Sequence, residues 1–123
     1  MSNHKQRVAI LDYGMGNLFS VEQACHAVGL TTILAGEPSQ LENTSGLIIP
    51  GVGAFGDAMK ILHCRGLVDA IRVFAASGKP VFGICLGMQI LFEESEEFGN
   101  TKGLGLISGK VIQTVMHEPG DLP

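Results

Sequence analysis

The chain has 123 residues, of which 46% are hydrophobic, and its formal net charge at pH 7 is −4; this length supports one hydrophobic core, so we expect a single domain or part of one. The acidic balance argues against nucleic acid as a main partner, and no apolar run approaches the roughly 20 residues that cross a bilayer, which argues against a membrane. Three cysteines without a Cys-x-x-Cys pair, and no secretory leader pattern, indicate a reducing cytoplasmic location.

Apolar runs and helical patterns alternate along the chain. Short continuous apolar runs predict strands at residues 8–11, 31–34, 46–49 and 81–84. Apolar residues at helical spacing predict helices at 18–28, 57–64, 67–76 and 88–92, with a short helical turn at 38–41. The acidic run 93–97 is interpreted as a solvated turn after a helix, with a surface for a basic partner as the alternative. Two further strands are predicted at 104–107 and 110–115, joined at Ser108-Gly109.

The four predicted strands before Cys85 are continuously apolar. Such strands are covered on both faces, which is typical of a parallel sheet in a doubly wound α/β fold. Ligands of these folds bind beyond the carboxyl ends of the strands. Three loops are expected at that edge, namely residues 12–17, residues 50–56 and the turn at Cys85.

The segment Gly83-Ile84-Cys85-Leu86-Gly87 has the spacing of a nucleophile elbow, in which a strand turns sharply into a helix and exposes a nucleophile. The flanking glycines have a steric reason, because a Cβ at either position would collide with nearby backbone. Cys85 is therefore a candidate nucleophile for attack on a carbonyl carbon, and the alternative is a buried structural cysteine. The other two cysteines, Cys25 and Cys64, are predicted to be core or near-core thiols.

The loop Gly51-Val52-Gly53-Ala54-Phe55-Gly56 allows two interpretations. It spells the G-x-G-x-x-G fingerprint of dinucleotide-binding proteins, but it follows the third strand, and no carboxylate lies near residues 75–76 to bind a ribose. Alternatively, its glycines let amide groups face a developing oxyanion. The second interpretation is favoured, with the amides of Gly53 and Leu86 as the donors.

Further motifs accompany the segment around Cys85. These are Asp12-Tyr13-Gly14-Met15-Gly16-Asn17-Leu18, Pro50-Gly51-Val52-Gly53-Ala54-Phe55 and Lys102-Gly103-Leu104-Gly105-Leu106-Ile107. Together with Pro80-Val81-Phe82-Gly83-Ile84-Cys85-Leu86-Gly87-Met88-Gln89, they resemble the triad (class I) glutamine amidotransferases and, more narrowly, the glutaminase subunits of imidazole glycerol phosphate synthase. The resemblance implies a flavodoxin-like fold and hydrolysis of L-glutamine to glutamate and ammonia. It also implies a cyclase subunit as partner, which uses the ammonia to make imidazole glycerol phosphate in histidine synthesis.

The resemblance implies roles for individual residues. Cys85 would attack the side-chain amide of glutamine and form a glutamyl thioester that water opens. The amides of Gly53 and Leu86 would stabilise the oxyanion, after a turn of the peptide between Val52 and Gly53. The other implied roles are substrate binding by Gly51, Val52 and Gln89, and a position near the cyclase interface for Asn17.

The chain departs from the family pattern in its general base. Family members carry a His-x-Glu pair far downstream of the cysteine, and these 123 residues contain none. We therefore interpret residues 1–123 as the N-terminal part of a single amidotransferase domain, with a fold incomplete at the C-terminus. Little glutaminase activity is expected from it alone, because general base catalysis contributes about 10²–10⁴-fold. No metal or cofactor is expected, and four histidines are interpreted as solvated or packed: His4, His26, His63 and His117.

Two other functions stay open at this point. The first is a paralogous amidotransferase that supplies ammonia to another synthase, such as one that modifies a sugar. The second is a non-catalytic α/β module that binds a nucleotide or a protein partner, which the G-x-G-x-x-G spacing allows.

Overall fold

The computed structural model describes residues 7–114. Before Cys85 the observed elements agree with the predicted ones to within two residues at each end, and the turn at 38–41 is a 3₁₀ helix. The elements of this part are β1 (Arg7–Leu11), α1 (Leu18–Ala27), β2 (Thr31–Ala35), the 3₁₀ helix (Pro38–Leu41), β3 (Gly46–Ile49), α2 (Phe55–Cys64), α3 (Leu67–Ala76) and β4 (Val81–Gly83). No helix of the described range is long and apolar enough to cross a membrane.

These four strands form one parallel sheet in the order β2-β1-β3-β4. The connection from β1 to β2 through α1 runs toward one edge of the sheet. The connection from β3 to β4 through α2 and α3 runs toward the opposite edge. Since parallel crossovers are right-handed, connections that run in opposite directions place their helices on opposite faces of the sheet. The prediction of a doubly wound α/β fold with a mostly parallel sheet is thereby confirmed.

The two faces of the sheet are covered unequally. On β3, Leu47 and Ile49 are buried in the core with residues of α2 and α3, whereas Ile48 on the other face is half-buried. On β4, the Phe82 side chain is 62% exposed. The sequence predicts that both faces of every strand are buried. Among the described residues, this prediction is correct for β1 and wrong for β4.

The segment after Cys85 differs from the sequence prediction. The helix predicted after Cys85 at 88–92 is present, but its bounds are wrong: α4 spans only Leu86–Gln89, and the chain then enters strand β5 (Phe92–Ser95). The acidic run 93–97 consequently begins within a strand and does not follow a helix end. Two of its carboxylates pair with lysines, Glu94 with Lys102 at 3.7 Å and Glu96 with Lys110 at 2.8 Å.

The predicted strands at 104–107 and 110–115 are also wrong in their bounds. Strand β6 is Thr101–Lys102, and β7 (Ile107–Val111) runs through Ser108 and Gly109 without a turn. In the pairing of β5 with β7, Phe92 faces Ile107 and Glu94 faces Lys110, so β7 carries one extra residue there. Gly109, with φ +121°, therefore lies in a β-bulge. Val115, the predicted last residue of this strand, lies outside the described residues, as do His4 and His117.

Candidate active site

Cys85 lies at the abrupt turn between β4 and α4. Its backbone has φ 55° and ψ −120°, a conformation that residues with a Cβ rarely adopt. Strain of this kind is found at functional sites that the surrounding structure holds in place. The cysteine is exposed, so the alternative of a buried structural cysteine does not describe it.

The two glycines that flank Cys85 are required by close backbone contacts. A Cβ on Gly87 would overlap the carbonyl oxygen of Ile49, and a Cβ on Gly83 would lie only 2.5 Å from Met88 Cα. Neither contact can relax by rotation of a side chain, because both neighbours are backbone atoms. The Gly-x-Cys-x-Gly spacing is therefore a packing requirement of the turn.

Backbone hydrogen bonds fix the turn against β3. The Ile84 N–H donates to the Ile49 carbonyl at 2.9 Å, which extends the pairing of β4 with β3 by one residue. The Gly87 N–H donates to the Ile84 carbonyl at 2.9 Å and closes the turn. Cys85 is thereby held at the carboxyl end of the sheet.

The Leu86 amide, predicted to donate to an oxyanion, is engaged in this structure. It donates a 3.2 Å hydrogen bond to the carbonyl oxygen of Gly51. An oxyanion could bind this amide only after the Gly51 carbonyl had turned away. The residues that follow have the freedom for such a change, because Val52 is 64% exposed and Gly53 has φ +110°.

The three loops expected at one edge of the sheet meet there. The buried Tyr13 hydroxyl, in the first loop, donates a 2.7 Å hydrogen bond to the Pro50 carbonyl oxygen in the second. A Cβ on Gly51 would lie 2.7 Å from the Tyr13 hydroxyl and 3.1 Å from Leu86 Cβ, so the second loop packs between the first loop and the turn at Cys85. Burial raises the pKa of Tyr13 to about 12.

Gln89 lines a cavity of about 410 Å³ beside α4. The cavity lies against β5, β7 and the turn after β5, and the other lining residues are Ser95, Glu96, Glu97, Phe98, Val111, Ile112 and Gln113. Carboxylates and an amide therefore face the same space. The sequence predicts Glu96 and Glu97 to be solvated, whereas both line this cavity.

Glu97 connects this cavity to the second loop. Its Oε1 accepts a 2.9 Å hydrogen bond from the backbone N–H of Phe55, the first residue of α2. Sequence reasoning missed both Glu97 and Tyr13. Tyr13, the single tyrosine of the chain, sits in a glycine-rich loop directly after a strand and could have been noticed on that ground, whereas nothing distinguishes Glu97 from the other acids of its run.

Asn17 lies in the first loop and caps α1. Its Oδ1 accepts a 3.1 Å hydrogen bond from the Ser20 N–H, which satisfies one of the free amides at the start of that helix. The side chain is therefore engaged in holding the helix. Asn17 is exposed at the same edge of the sheet as Cys85.

The remaining cysteines and described histidines lie apart from this edge. Cys25 is buried on α1 as predicted, and its pKa is raised by burial and, second, by the charge of Glu22. Cys64 is exposed at the end of α2, so its prediction as a core thiol is wrong. His26 contacts Thr32 Oγ1 at 3.0 Å on the exposed side of α1, and His63 is exposed in the last turn of α2.

Comparison with known proteins identifies relatives over most of the chain. A family model described as "Glutamine amidotransferase class-I" matches residues 9–120. "Imidazole glycerol phosphate synthase subunit HisH" of Sulfurimonas denitrificans is 58% identical over 105 residues, which are 85% of this chain and 51% of that protein. The protein of the same name from Geobacillus kaustophilus is 51% identical over 120 residues, covering 94% of this chain and 57% of that protein.

A solved structure supports the same relationship at the level of the fold. "Crystal structure of glutamine amidotransferase" superposes with a TM-score of 0.70 and 25% sequence identity, over 80% of this chain and 52% of the other. The chain spans about half the length of the curated relatives it matches.

Proposed function

The chain belongs to the class-I glutamine amidotransferase family, and we propose that it carries the nucleophile of a glutaminase subunit of imidazole glycerol phosphate synthase. In this proposal the subunit hydrolyses L-glutamine to glutamate and ammonia, and a cyclase subunit uses the ammonia to form imidazole glycerol phosphate in histidine synthesis. Residues 1–123 form part of one amidotransferase domain. The observation that carries the proposal is the exposed Cys85 in a strained turn against the glycine-rich loop.

The proposed reaction begins at the Cys85 sulfur. A general base takes the proton of the thiol, Sγ forms a bond to the amide carbon of the glutamine side chain, and the carbonyl π electron pair moves onto the oxygen. That electron pair then re-forms the carbonyl, the carbon–nitrogen bond breaks, and the nitrogen leaves as ammonia after receiving the proton that the base took from the thiol. Water opens the resulting thioester, which releases glutamate and restores the thiol.

The oxyanion of this reaction would be bound by the amides of Gly53 and Leu86. In the structure the Leu86 amide donates to the Gly51 carbonyl at 3.2 Å, so this arrangement corresponds to a closed oxyanion site. Opening requires the peptide groups of Gly51, Val52 and Gly53 to turn. Removal of one such donor from an enzyme typically costs about 10²–10³ in kcat, so the closed site would have little activity.

The other implied roles fit the positions of their residues. Gly51 packs against Leu86 in the turn at Cys85, Val52 follows it in the same loop, and the Gln89 N–H donates to the Cys85 carbonyl at 3.1 Å, which supports their assignment to substrate binding. Asn17 orients the start of α1 at the same edge of the sheet. We assign it to the surface that the cyclase subunit contacts.

The general base of the reaction is assigned to a segment outside the described residues 7–114. His63 lies in the last turn of α2, a helix of ten residues that begins at the Cys85 edge. A helix of that length carries its end about 15 Å away from its start, so His63 cannot reach the Cys85 sulfur. His26 is engaged with Thr32 on the exposed side of α1.

The structure argues against the nucleotide-binding alternative. In dinucleotide-binding folds the pyrophosphate lies at the N-terminus of the helix that follows the glycine-rich loop. Here the Glu97 carboxylate already accepts the Phe55 N–H at that position, and its negative charge would repel a phosphate. The sugar-modifying paralogue shares the same chemistry, and neighbouring genes for histidine or sugar enzymes would separate the two.

Calorimetric titration tests the proposed substrate. We would titrate L-glutamine, D-glutamine and NAD into the Cys85→Ser chain, in which the nucleophile is removed and binding can be measured without turnover. The proposal predicts saturable binding of L-glutamine and none of the other two. Binding of NAD without L-glutamine would contradict the proposal and favour the nucleotide module.

A further inference from the structure

Helix α2 begins without a cap of its own. Its N-cap residue, Ala54, has no side-chain hydrogen bond to offer, although the first amides of a helix have no partner within the helix. Phe55, the first helical residue, is fully buried, so water does not replace the missing acceptor. Its N–H instead donates to Glu97 Oε1 at 2.9 Å, across 42 positions of the sequence.

Glu97 is itself held by the second sheet. Its backbone N–H donates a 3.0 Å hydrogen bond to the hydroxyl of Ser95, which is fully buried at the end of β5. Strand β5 pairs with both β6 and β7. The carboxylate that caps α2 thus belongs to an exposed residue whose backbone is held at the end of a paired strand.

The loop at residues 50–54 is therefore fastened at both ends. Tyr13 holds the Pro50 carbonyl at 2.7 Å, and Glu97 holds the N–H of Phe55 at 2.9 Å. Between these anchors, Val52 is 64% exposed and Gly53 has φ +110°. The part of the loop that has freedom to turn is the part expected to donate to the oxyanion.

We propose that Glu97 is a positioning residue of the active site, whose carboxylate fixes the start of α2 so that the oxyanion loop turns at Val52 and Gly53 without moving as a whole. The negative charge also suits the positive end of the α2 dipole, which strengthens the bond to Phe55. This role rests on the proposed glutaminase function. The hydrogen bond between the Phe55 N–H and Glu97 is observed independently of that function.

The bond can be tested by amide hydrogen exchange of Phe55, measured by NMR. The amide of the first helical residue has no partner within its helix, so the bond to Glu97 and the burial of Phe55 protect it, and the change on removal of the carboxylate reports the bond. In Glu97→Ala we expect exchange at Phe55 to be about tenfold faster, because the acceptor is gone. Glu97→Gln keeps an oxygen acceptor and should retain most of the protection.

Glu94→Ala is the matched control. Glu94 is also a carboxylate on the second sheet, but it pairs with Lys102 at 3.7 Å. It should leave exchange at Phe55 unchanged, and urea unfolding of all variants would show whether a loss of protection exceeds the loss of global stability. Equal exchange at Phe55 in the wild type and in Glu97→Ala would overturn the proposal.

A second readout separates positioning from simple helix capping. The rate at which 6-diazo-5-oxo-norleucine labels Cys85 depends on the glutamine pocket, whereas the rate with iodoacetamide reports access to the thiol and its reactivity without the pocket. Positioning predicts that the ratio of the two rates falls on the order of tenfold in Glu97→Ala and recovers in Glu97→Gln. An unchanged ratio with faster exchange at Phe55 would mean that Glu97 only caps α2, and would overturn the positioning role.

The two measurements also separate failure of the glutaminase proposal from failure of the proposed bond between Glu97 and Phe55. If L-glutamine does not protect Cys85 of the wild-type chain from 6-diazo-5-oxo-norleucine, the glutaminase proposal is wrong and the positioning role falls with it. The exchange rate of Phe55 would still establish whether Glu97 fastens the loop.

Discussion

The Tyr13 hydroxyl donates a 2.7 Å hydrogen bond to the carbonyl oxygen of Pro50, and both groups are buried. This bond joins the loop after β1 to the loop after β3, directly beside the turn that carries Cys85. Because β1 and β3 are neighbours in a parallel sheet, their carboxyl ends lie at the same edge, and one phenol can connect the two loops.

Loss of this hydroxyl should destabilise the chain. Tyr13→Phe removes the donor and leaves a buried carbonyl without a partner, so we expect the free energy of unfolding in urea to fall by about 1–3 kcal/mol. Ser45→Ala is the matched control, because the Ser45 hydroxyl makes an exposed bond to the Arg7 carbonyl at 3.1 Å. Its effect should stay within about 0.5 kcal/mol, as is usual for surface changes. An equal loss of unfolding free energy in the two variants would contradict the expectation that the buried hydrogen bond stabilises the chain more than the exposed one.

The same phenol should give the chain a pH dependence at high pH. Burial raises the pKa of Tyr13 from 10.0 to about 12, so the folded state binds the proton more tightly than the unfolded state. The stability that this provides is complete below pH 10 and is lost as the pH rises through about 12. We expect the free energy of unfolding to fall more steeply between these values in the wild type than in Tyr13→Phe. Parallel curves for the two proteins would contradict this assignment.

The elements before Cys85 could be predicted from the sequence because each carries its own signal. The strands are continuous apolar runs and the helices have regular apolar spacing, so local pattern and tertiary packing agree. The turn at Cys85 could be predicted for a steric reason that the structure bears out, since backbone atoms occupy the space of a Cβ at Gly83 and Gly87.

The elements after Cys85 could not be predicted because strand pairing overrides local preference. Phe92 and Glu93 follow a helix-like segment, yet they form a strand because β7 and the Gly103 N–H pair with them. The Ser108-Gly109 pair predicts a turn, but Gly109 lies in a β-bulge. The anchors Tyr13 and Glu97 depend on contacts over 37 and 42 positions, which no local pattern shows.

The glycine after Cys85 should not tolerate a methyl group. A Cβ in Gly87→Ala would meet the Ile49 carbonyl, so we expect at least about 2 kcal/mol of destabilisation or loss of folded protein. In Gly56→Ala the nearest atom is Thr101 Oγ1 at 3.7 Å, and this control within α2 should be neutral or stabilising. Thermal unfolding of both variants by circular dichroism tests the comparison, and a Gly87→Ala chain as stable as the wild type would contradict the packing described for the turn.

The open face of β4 should promote association. Phe82, 62% exposed, lines an apolar groove with Ile48, Ile84 and residues of α1, at the edge of the sheet. Exposed apolar surface and a free strand edge both favour self-association. Phe82→Lys should therefore raise the concentration at which light scattering detects aggregates. Phe98→Lys is the control, because Phe98 is 93% exposed and lies outside the groove. An equal rise of the aggregation threshold in Phe98→Lys would show that the added charge, and not the groove, causes the effect.

The chain by itself should release little ammonia from glutamine. Among the described residues, His26 is engaged with Thr32 and His63 lies at the far end of α2, so neither is placed to act on Cys85. A general base contributes about 10²–10⁴-fold. We expect a coupled glutamate dehydrogenase assay to give the same rate for the wild type and for Cys85→Ser. Faster, Cys85-dependent release would show that a base exists within these 123 residues.

The most direct test of the account is site-resolved mass spectrometry of the chain after treatment with 6-diazo-5-oxo-norleucine, with and without excess L-glutamine. Cys85→Ser serves as the control, and the exposed Cys64 provides an internal comparison within each sample. The account predicts that the reagent labels Cys85 selectively and that L-glutamine prevents the labelling, because the turn and the glycine-rich loop form a glutamine pocket. Equal labelling of Cys85 and Cys64, unaffected by L-glutamine, would contradict it.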